Sequence, residues 1–122
     1  MPIQYLLDEH LRGPLWRAIQ RHNDRGDDRL EAVRVGDTSS PTLGTPDPQL
    51  LLWIEHNRRI LVSEDQRTLP SYLERHLRAG HHCPGLFMIR KGSTVREVLE
   101  FLVLAACCSQ EGEWQDRIIF IP

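Results

Sequence analysis

Short apolar runs alternate along this chain with longer segments in which apolar residues recur at helical spacing. The runs have the length and the flanking polar residues of buried strands. They cover residues 3–7, 30–35, 60–62, 86–89 and 117–121. Between them, helix starts are marked by Pro14 at a first helical position, by Asp47 as a helix cap before Pro48, by Thr68, and by Thr94 three residues before Glu97. The pattern predicts five strands separated by four helices.

Regular alternation of strands and helices is typical of a mostly parallel sheet with helices on both faces. The sequence therefore predicts a single α/β domain over residues 1–122, a three-layer α/β/α sandwich with a five-stranded sheet. We expect the first strand to be central, the third to lie beside it, and the weaker second strand to lie near an edge.

The composition is that of an ordinary globular domain. Of the 122 residues, 40% are hydrophobic and 26% are charged, which supplies a core for one domain of this size. The formal net charge is −2 and the pI is near 6.3, so no overall basic excess points to nucleic acid. A local basic rim around an acidic pocket is compatible with these totals.

The cysteines and the N-terminal residues indicate the compartment. The three cysteines, of which Cys107 and Cys108 are adjacent, do not fit a disulfide framework. No basic start followed by a long apolar run marks a signal peptide, and no apolar stretch reaches the length of a membrane span. A cytoplasmic protein without a membrane partner is therefore expected.

Acidic residues gather where the predicted strands end. Asp8 and Glu9 follow the first strand, Glu64 and Asp65 follow the third, and Asp47 begins the helix that leads into the third. In open parallel sheets ligands bind beyond the carboxyl ends of the strands, where strand order reverses. Converging carboxylates repel one another unless a proton or a cation neutralises them, and Mg²⁺ or Mn²⁺ suits such oxygen ligands.

Each acid also has a purely structural explanation. Asp47 before Pro48 is accounted for as a helix cap, and Glu9, Glu64 and Asp65 as ordinary loop acids. Asp8 is the hardest to explain this way, because it directly follows a buried strand.

Four segments resemble small bacterial PIN-like proteins, and they occur in the family's order. Leu-Leu-Asp-Glu-His-Leu at 6–11 is similar to the family's opening Leu-Leu-Asp-Glu-Asn-Leu, and Gly-Thr-Pro-Asp at 44–47 to its second acidic segment. Residues 60–65 resemble its Val-Leu-Val-Thr-x-Asp strand end, and residues 84–90 its Pro-Gly-Val-x-x-Leu-Arg strand.

This resemblance implies a metal-dependent ribonuclease of a family in which many members are the toxins of toxin–antitoxin pairs. It implies that Asp8, Asp47 and Asp65 are catalytic and bind Mg²⁺ or Mn²⁺, with Glu9 and Glu64 as further candidate ligands. The implied partners are an RNA substrate, an antitoxin protein and a second copy of the chain in a homodimer.

One departure from the family pattern concerns activity. The pattern continues Asp-x-Asp after the third strand, whereas this chain has Asp65-Gln66-Arg67, with an arginine in place of the second aspartate. The alternative reading is therefore a weakly active or inactive PIN-like module that binds or regulates. A receiver-like domain, which also clusters acids, is disfavoured because no lysine follows the last strand.

Other candidate residues carry weaker signals. The run His81-His82-Cys83 suggests zinc, but no second ligand pair stands at finger spacing, and a loop is the preferred interpretation. Cys107 and Cys108 are expected to be small core residues. The basic pairs Arg58-Arg59 and Arg90-Lys91 flank strands and are candidates for phosphate contacts.

Overall fold

Five parallel strands form one sheet in the order β2-β1-β3-β4-β5. The computed structural model describes residues 3–11, 13–26 and 28–122. The strands are β1 Gln4–Leu7, β2 Glu31–Arg34, β3 Ile60–Ser63, β4 Leu86–Ile89 and β5 Ile118–Ile121. The helices are α1 Pro14–Asp24, α2 Asp47–Asn57, α3 Leu69–Arg78 and α4 Val95–Cys108, with a short 3-10 helix at Glu9–Leu11.

The helices cover both faces of the sheet, which confirms the predicted three-layer sandwich. Alternate residues along β1 point to opposite faces, as the pleat of a strand requires. Tyr5 and Leu7 pack on the side of α1 and α4, whereas Leu6 packs on the side of α2 and α3. Since β1, β3 and β4 are buried on both faces, their continuous apolar runs are explained.

The chain reverses direction across the sheet between β1 and β3. The connection through α1 leads from β1 to the edge strand β2, and the connection through α2 passes back over β1 to β3. The prediction that the first strand is central is therefore wrong. β3 occupies the middle of the sheet, because two strands are added beyond β3 and only one beyond β1. The prediction that the first and third strands lie side by side is confirmed, since β1 pairs with β3.

Local capping explains where the helices begin and end. Thr94 Oγ1 accepts a 3.1 Å hydrogen bond from the Glu97 N–H, and Glu97 Oε1 accepts one of 2.9 Å from the Thr94 N–H, so the predicted capping box is confirmed. At the C-terminus of α2, Arg58 adopts a left-handed conformation with φ 55°, and the next residue enters the turn to β3.

Two sequence-based expectations about helices are wrong. Asp47 is the first residue of α2, not its cap: Pro46 occupies the cap position in an extended conformation, without a side-chain capping bond. Cys107 and Cys108 are exposed, because α4 turns the stripe of Val98, Leu102 and Ala105 toward the core and the two cysteines lie off that stripe. Among the described residues, no helix is long and apolar enough to cross a membrane.

Candidate functional site

Asp8 lies at the carboxyl end of β1, directly beside the end of β3. The register of the two strands pairs Leu7 with Val62, and the Asp8 N–H continues it by donating a 3.0 Å bond to the Val62 carbonyl. The Asp8 carboxylate accepts 2.8 Å from the Ser63 hydroxyl and 2.7 Å from the Glu9 N–H. Asp8 is thus fixed at the point where strand order reverses.

Asp65 lies beyond the end of β3 and is held by the first residues leading into α3. Its N–H donates a 3.1 Å bond to the Ser63 hydroxyl, which itself donates to Asp8. Its carboxylate accepts 2.7 Å from the Thr68 hydroxyl and 3.0 Å from the Arg67 N–H. One buried serine therefore connects both strand-end aspartates.

Asp47 approaches this edge from the start of α2. Its Oδ2 lies 3.3 Å from the Thr68 hydroxyl, which also makes the shorter bond to Asp65. Since a hydroxyl has one proton, Thr68 stabilises mainly Asp65 and leaves Asp47 the less compensated carboxylate.

The charges at this edge act on one another. Burial raises the pKa of Asp47, and the negative charges of Asp65, Asp8 and Glu9 raise it further. The pKa of Asp65 is lowered, in the first place by the Thr68 hydroxyl, with the positive charge of Arg67 a smaller contribution. The positive charge of Arg67 is thus a minor effect on Asp65 beside the hydrogen bond from Thr68.

The carboxylates are neighbours without forming a closed cage. Within the described ranges, the three aspartates do not form a group close enough to hold one ion between them. The three aspartates as they stand therefore do not offer three direct ligands to a single ion. Mg²⁺ and Mn²⁺ are commonly held by only one or two carboxylates, while water and substrate oxygens complete the octahedron.

The two candidate glutamates differ in position. Glu9, partly buried in the short 3-10 helix, is close enough to affect the pKa of Asp47. Glu64 is exposed and lines a separate cleft of about 210 Å³ together with His10 and Ser93. Glu9 is therefore the better placed of the two to assist the aspartates.

A second group of ligand-type side chains lies at the other end of the sheet. Glu55 Oε1 is 3.2 Å from His76 Nε2 and 3.1 Å from His81 Nδ1. His76 belongs to α3, and His81 lies in the loop that follows it. One residue of the run His81-His82-Cys83 is thus part of a group of metal-ligand type. His82 instead contacts Asp116, with 2.9 Å between Nδ1 and Oδ2, and Cys83 is buried, which raises its pKa to about 11.

Comparisons with protein-family models, with curated proteins and with solved structures give no match. The resemblance to PIN-like proteins accordingly rests on the four sequence segments alone. The interpretation of the site depends on its geometry and chemistry.

The sequence did not reveal the hydroxyl groups that connect the acids. Ser63 is the last residue of a buried strand and Thr68 directly precedes α3, so each has an ordinary structural role by position. A signal was nevertheless present, because Ser63 and Thr68 flank Asp65 at spacings of two and three residues, which allow side-chain to backbone turns. The Glu55–His76–His81 group had no such local signal, since Glu55 lies 21 residues before His76.

Proposed function

We propose that this protein is a PIN-type ribonuclease that requires Mg²⁺ or Mn²⁺ and hydrolyses phosphodiester bonds in single-stranded RNA. The observation that carries the proposal is the hydrogen-bonded arrangement of Asp8, Asp65 and Asp47 at the carboxyl edge of the sheet, where strand order reverses. Hydroxyl groups, rather than basic side chains, connect these acids, so their negative charge remains available to a cation.

Asp8, Asp47 and Asp65 are the proposed metal ligands, one or two of them directly and the others through bound water, with Glu9 beside them. When bound, Mg²⁺ or Mn²⁺ would activate water and stabilise the leaving oxygen of a phosphodiester. The protein's own contribution is orientation: Ser63 fixes the carboxylate of Asp8, and Thr68 fixes that of Asp65. Asp47, whose pKa is raised, is the carboxylate that gains most from a neighbouring cation.

Basic residues at the same edge are suited to RNA phosphates. Arg90 and Lys91 follow β4, are exposed, and lie at the carboxyl ends of the parallel strands like the aspartates. Arg58, by contrast, precedes β3 and lies at the opposite edge. We therefore propose that RNA crosses the Arg90–Lys91 side of the site, and that an antitoxin protein or a second copy of the chain, where present, acts by covering this edge.

Arg67 favours a second candidate function, an RNA-binding module without catalysis. Its exposed side chain stands next to Asp65 and introduces positive charge where the family pattern has an acid. Two-metal cleavage needs enough negative charge to hold both ions. We accordingly propose weak activity, with one well-held metal ion in the absence of RNA.

The test compares cleavage of one single-stranded RNA in Mn²⁺ by wild type, Asp8→Asn and the control Asp24→Asn. Asp24 is an exposed residue at the end of α1, so its substitution matches the change in charge away from the site. We expect the control to cleave like wild type and Asp8→Asn to lose at least about 100-fold, because it removes a metal ligand and its charge. Equal rates for all three proteins would contradict the ribonuclease proposal.

RNA binding separates the two candidate functions. Replacing Arg90 and Lys91 by Gln should weaken RNA binding and make it less dependent on salt, whereas Arg58→Gln should change neither. If wild type binds RNA through Arg90 and Lys91 but neither wild type nor Arg67→Asp cleaves it, the protein is the binding module.

A further inference from the structure

Glu55, His76 and His81 meet at the end of the sheet opposite to the aspartates. Glu55 follows Asp47 by eight residues in the same helix, which separates the two by about 12 Å along the axis of α2. His76 is near the end of α3, and His81 lies in the loop that leads to β4. The group therefore joins two helices of one face to the loop that leads to β4.

The spacing of the group is close to that of ligands around one metal ion. Two ligands of a tetrahedral Zn²⁺ lie about 3.3 Å apart when each bond is near 2.05 Å. The observed distances from Glu55 Oε1 are 3.2 Å to His76 Nε2 and 3.1 Å to His81 Nδ1, and one ligand atom from each residue lies within 4.8 Å of the others.

The group is also held in place before any ion binds. Glu55 Oε2 accepts a 3.0 Å hydrogen bond from the His82 N–H, which leaves Oε1 directed at the histidines. The His76 side chain is only 4% exposed, and its ring stacks on that of His81 with 4.8 Å between centroids and 19° between planes. The His82 carbonyl, 2.9 Å from His76 Nε2, places a further oxygen at the same spot.

These ligand types select the metal. Two imidazoles with one carboxylate suit Zn²⁺ and neighbouring transition ions, whereas Mg²⁺ and Ca²⁺ prefer oxygen ligands alone. His81 is 45% exposed, so solvent reaches the group from one side. We propose that Glu55, His76 and His81 bind one Zn²⁺ ion through Oε1, Nε2 and Nδ1, with the fourth position open to water.

Binding has a proton balance and a structural effect. Each ligand nitrogen must give up any proton it carries, including one that His76 Nε2 shares with the His82 carbonyl, so binding releases protons to solvent. The ion ties the C-terminal part of α2 to α3 and to the segment before β4. Because it binds the folded chain, it stabilises the fold by mass action.

The test is a calorimetric Zn²⁺ titration of tag-free protein from which metals have been removed. Cys107 and Cys108 are exposed neighbouring thiols that could bind Zn²⁺ themselves, so both are first replaced by Ser. In this background we expect one Zn²⁺ per chain, and losses of affinity on the order of 100-fold for His81→Ala and for Glu55→Gln. The titrated variants avoid His76, since that buried side chain also supports folding.

His82→Ala is the matched control. It removes an imidazole next in sequence to His81 while keeping the backbone N–H and carbonyl that contact Glu55 and His76. We expect Zn²⁺ affinity within about twofold of the background. Asp8→Asn should likewise keep its affinity, because Asp8 lies at the opposite edge of the sheet, so this result is independent of the proposed ribonuclease site.

Co²⁺ reports the geometry directly. The background protein should give the strong visible absorption of four-coordinate Co²⁺, and His81→Ala should give only the weak spectrum of the solvated ion. The zinc proposal is wrong if the background and His81→Ala bind Zn²⁺ equally, or if Co²⁺ in the background stays six-coordinate. The group would then be Glu55 hydrogen-bonded to two histidines.

Discussion

The hydroxyl of Ser63 donates a 2.8 Å hydrogen bond to the carboxylate of Asp8 and so joins the ends of two neighbouring strands. Ser63 is fully buried, and its oxygen also accepts a 3.1 Å bond from the Asp65 N–H. A single uncharged side chain thus links the two strand-end acids.

Replacing Ser63 by Ala should therefore destabilise the fold. A hydrogen bond to a charged group is removed and the partly buried Asp65 N–H loses its acceptor, which together should cost about 2 kcal/mol. The measurement is urea unfolding without divalent cations. The control is Ser71→Ala on the exposed surface of α3, which should stay within about 0.5 kcal/mol of wild type. Equal stability of the two variants would show that the serine bridge is unimportant.

Replacing Asp47 by Asn should have opposite effects with and without metal. Burial and the nearby charges of Asp65 and Asp8 raise the pKa of Asp47, so its ionised form is disfavoured in the folded state. Without metal, Asp47→Asn should raise stability at neutral pH by a few tenths of a kcal/mol, since solvent screens most of this repulsion. With Mn²⁺, the variant should gain less stability than wild type, because it has lost a ligand.

The pH dependence of this effect has a definite sign. An acid whose folded-state pKa is raised destabilises the fold above that pKa and has no effect below its unfolded value of about 3.9, where it is protonated in both states. The gain from Asp47→Asn without metal should therefore be present at pH 7 and disappear as the pH falls toward 4. Thermal unfolding across this range measures it, and a gain that grows on acidification would contradict the electrostatic account.

Most of the fold could be predicted because its signals are local. The Thr94–Glu97 capping box starts α4, and β3 and β4 are continuous apolar runs in the sequence. The edge position of β2 followed from its mixed pattern, in which the charged Glu31 and Arg34 flank Ala32 and Val33. The central position assigned to β1 failed because the number of strands added on each side is decided by packing.

The candidate site could be predicted only in part. The adjacency of Asp8 and Asp65 follows from parallel strands, whose carboxyl ends share one edge. The role of Thr68 depends on how α3 is placed against α2, and the meeting of Glu55 with His76 and His81 depends on the same packing. Contacts between elements far apart in sequence leave no periodic trace along the chain.

Arg67→Asp should strengthen metal binding at the aspartate site. The substitution replaces a positive charge beside Asp65 by a negative one, and we expect Mn²⁺ affinity to rise roughly tenfold, or about 1.4 kcal/mol. RNA cleavage should increase with it, since more negative charge is available to hold a second ion. Arg58→Asp at the opposite edge makes the same change in net charge and should leave the affinity unchanged. Equal gains for both variants would mean that overall charge, not the site, controls binding.

The most direct measurement of the central claim is anomalous scattering from manganese in crystals of the protein grown with Mn²⁺. The account predicts one strong peak at the carboxyl edge of the sheet, within coordination distance of Asp8 or Asp65 and beside Asp47, and no such peak in crystals of Asp8→Asn. A wild-type map with no manganese at this edge, or a peak that persists unchanged in Asp8→Asn, would contradict the proposed metal site.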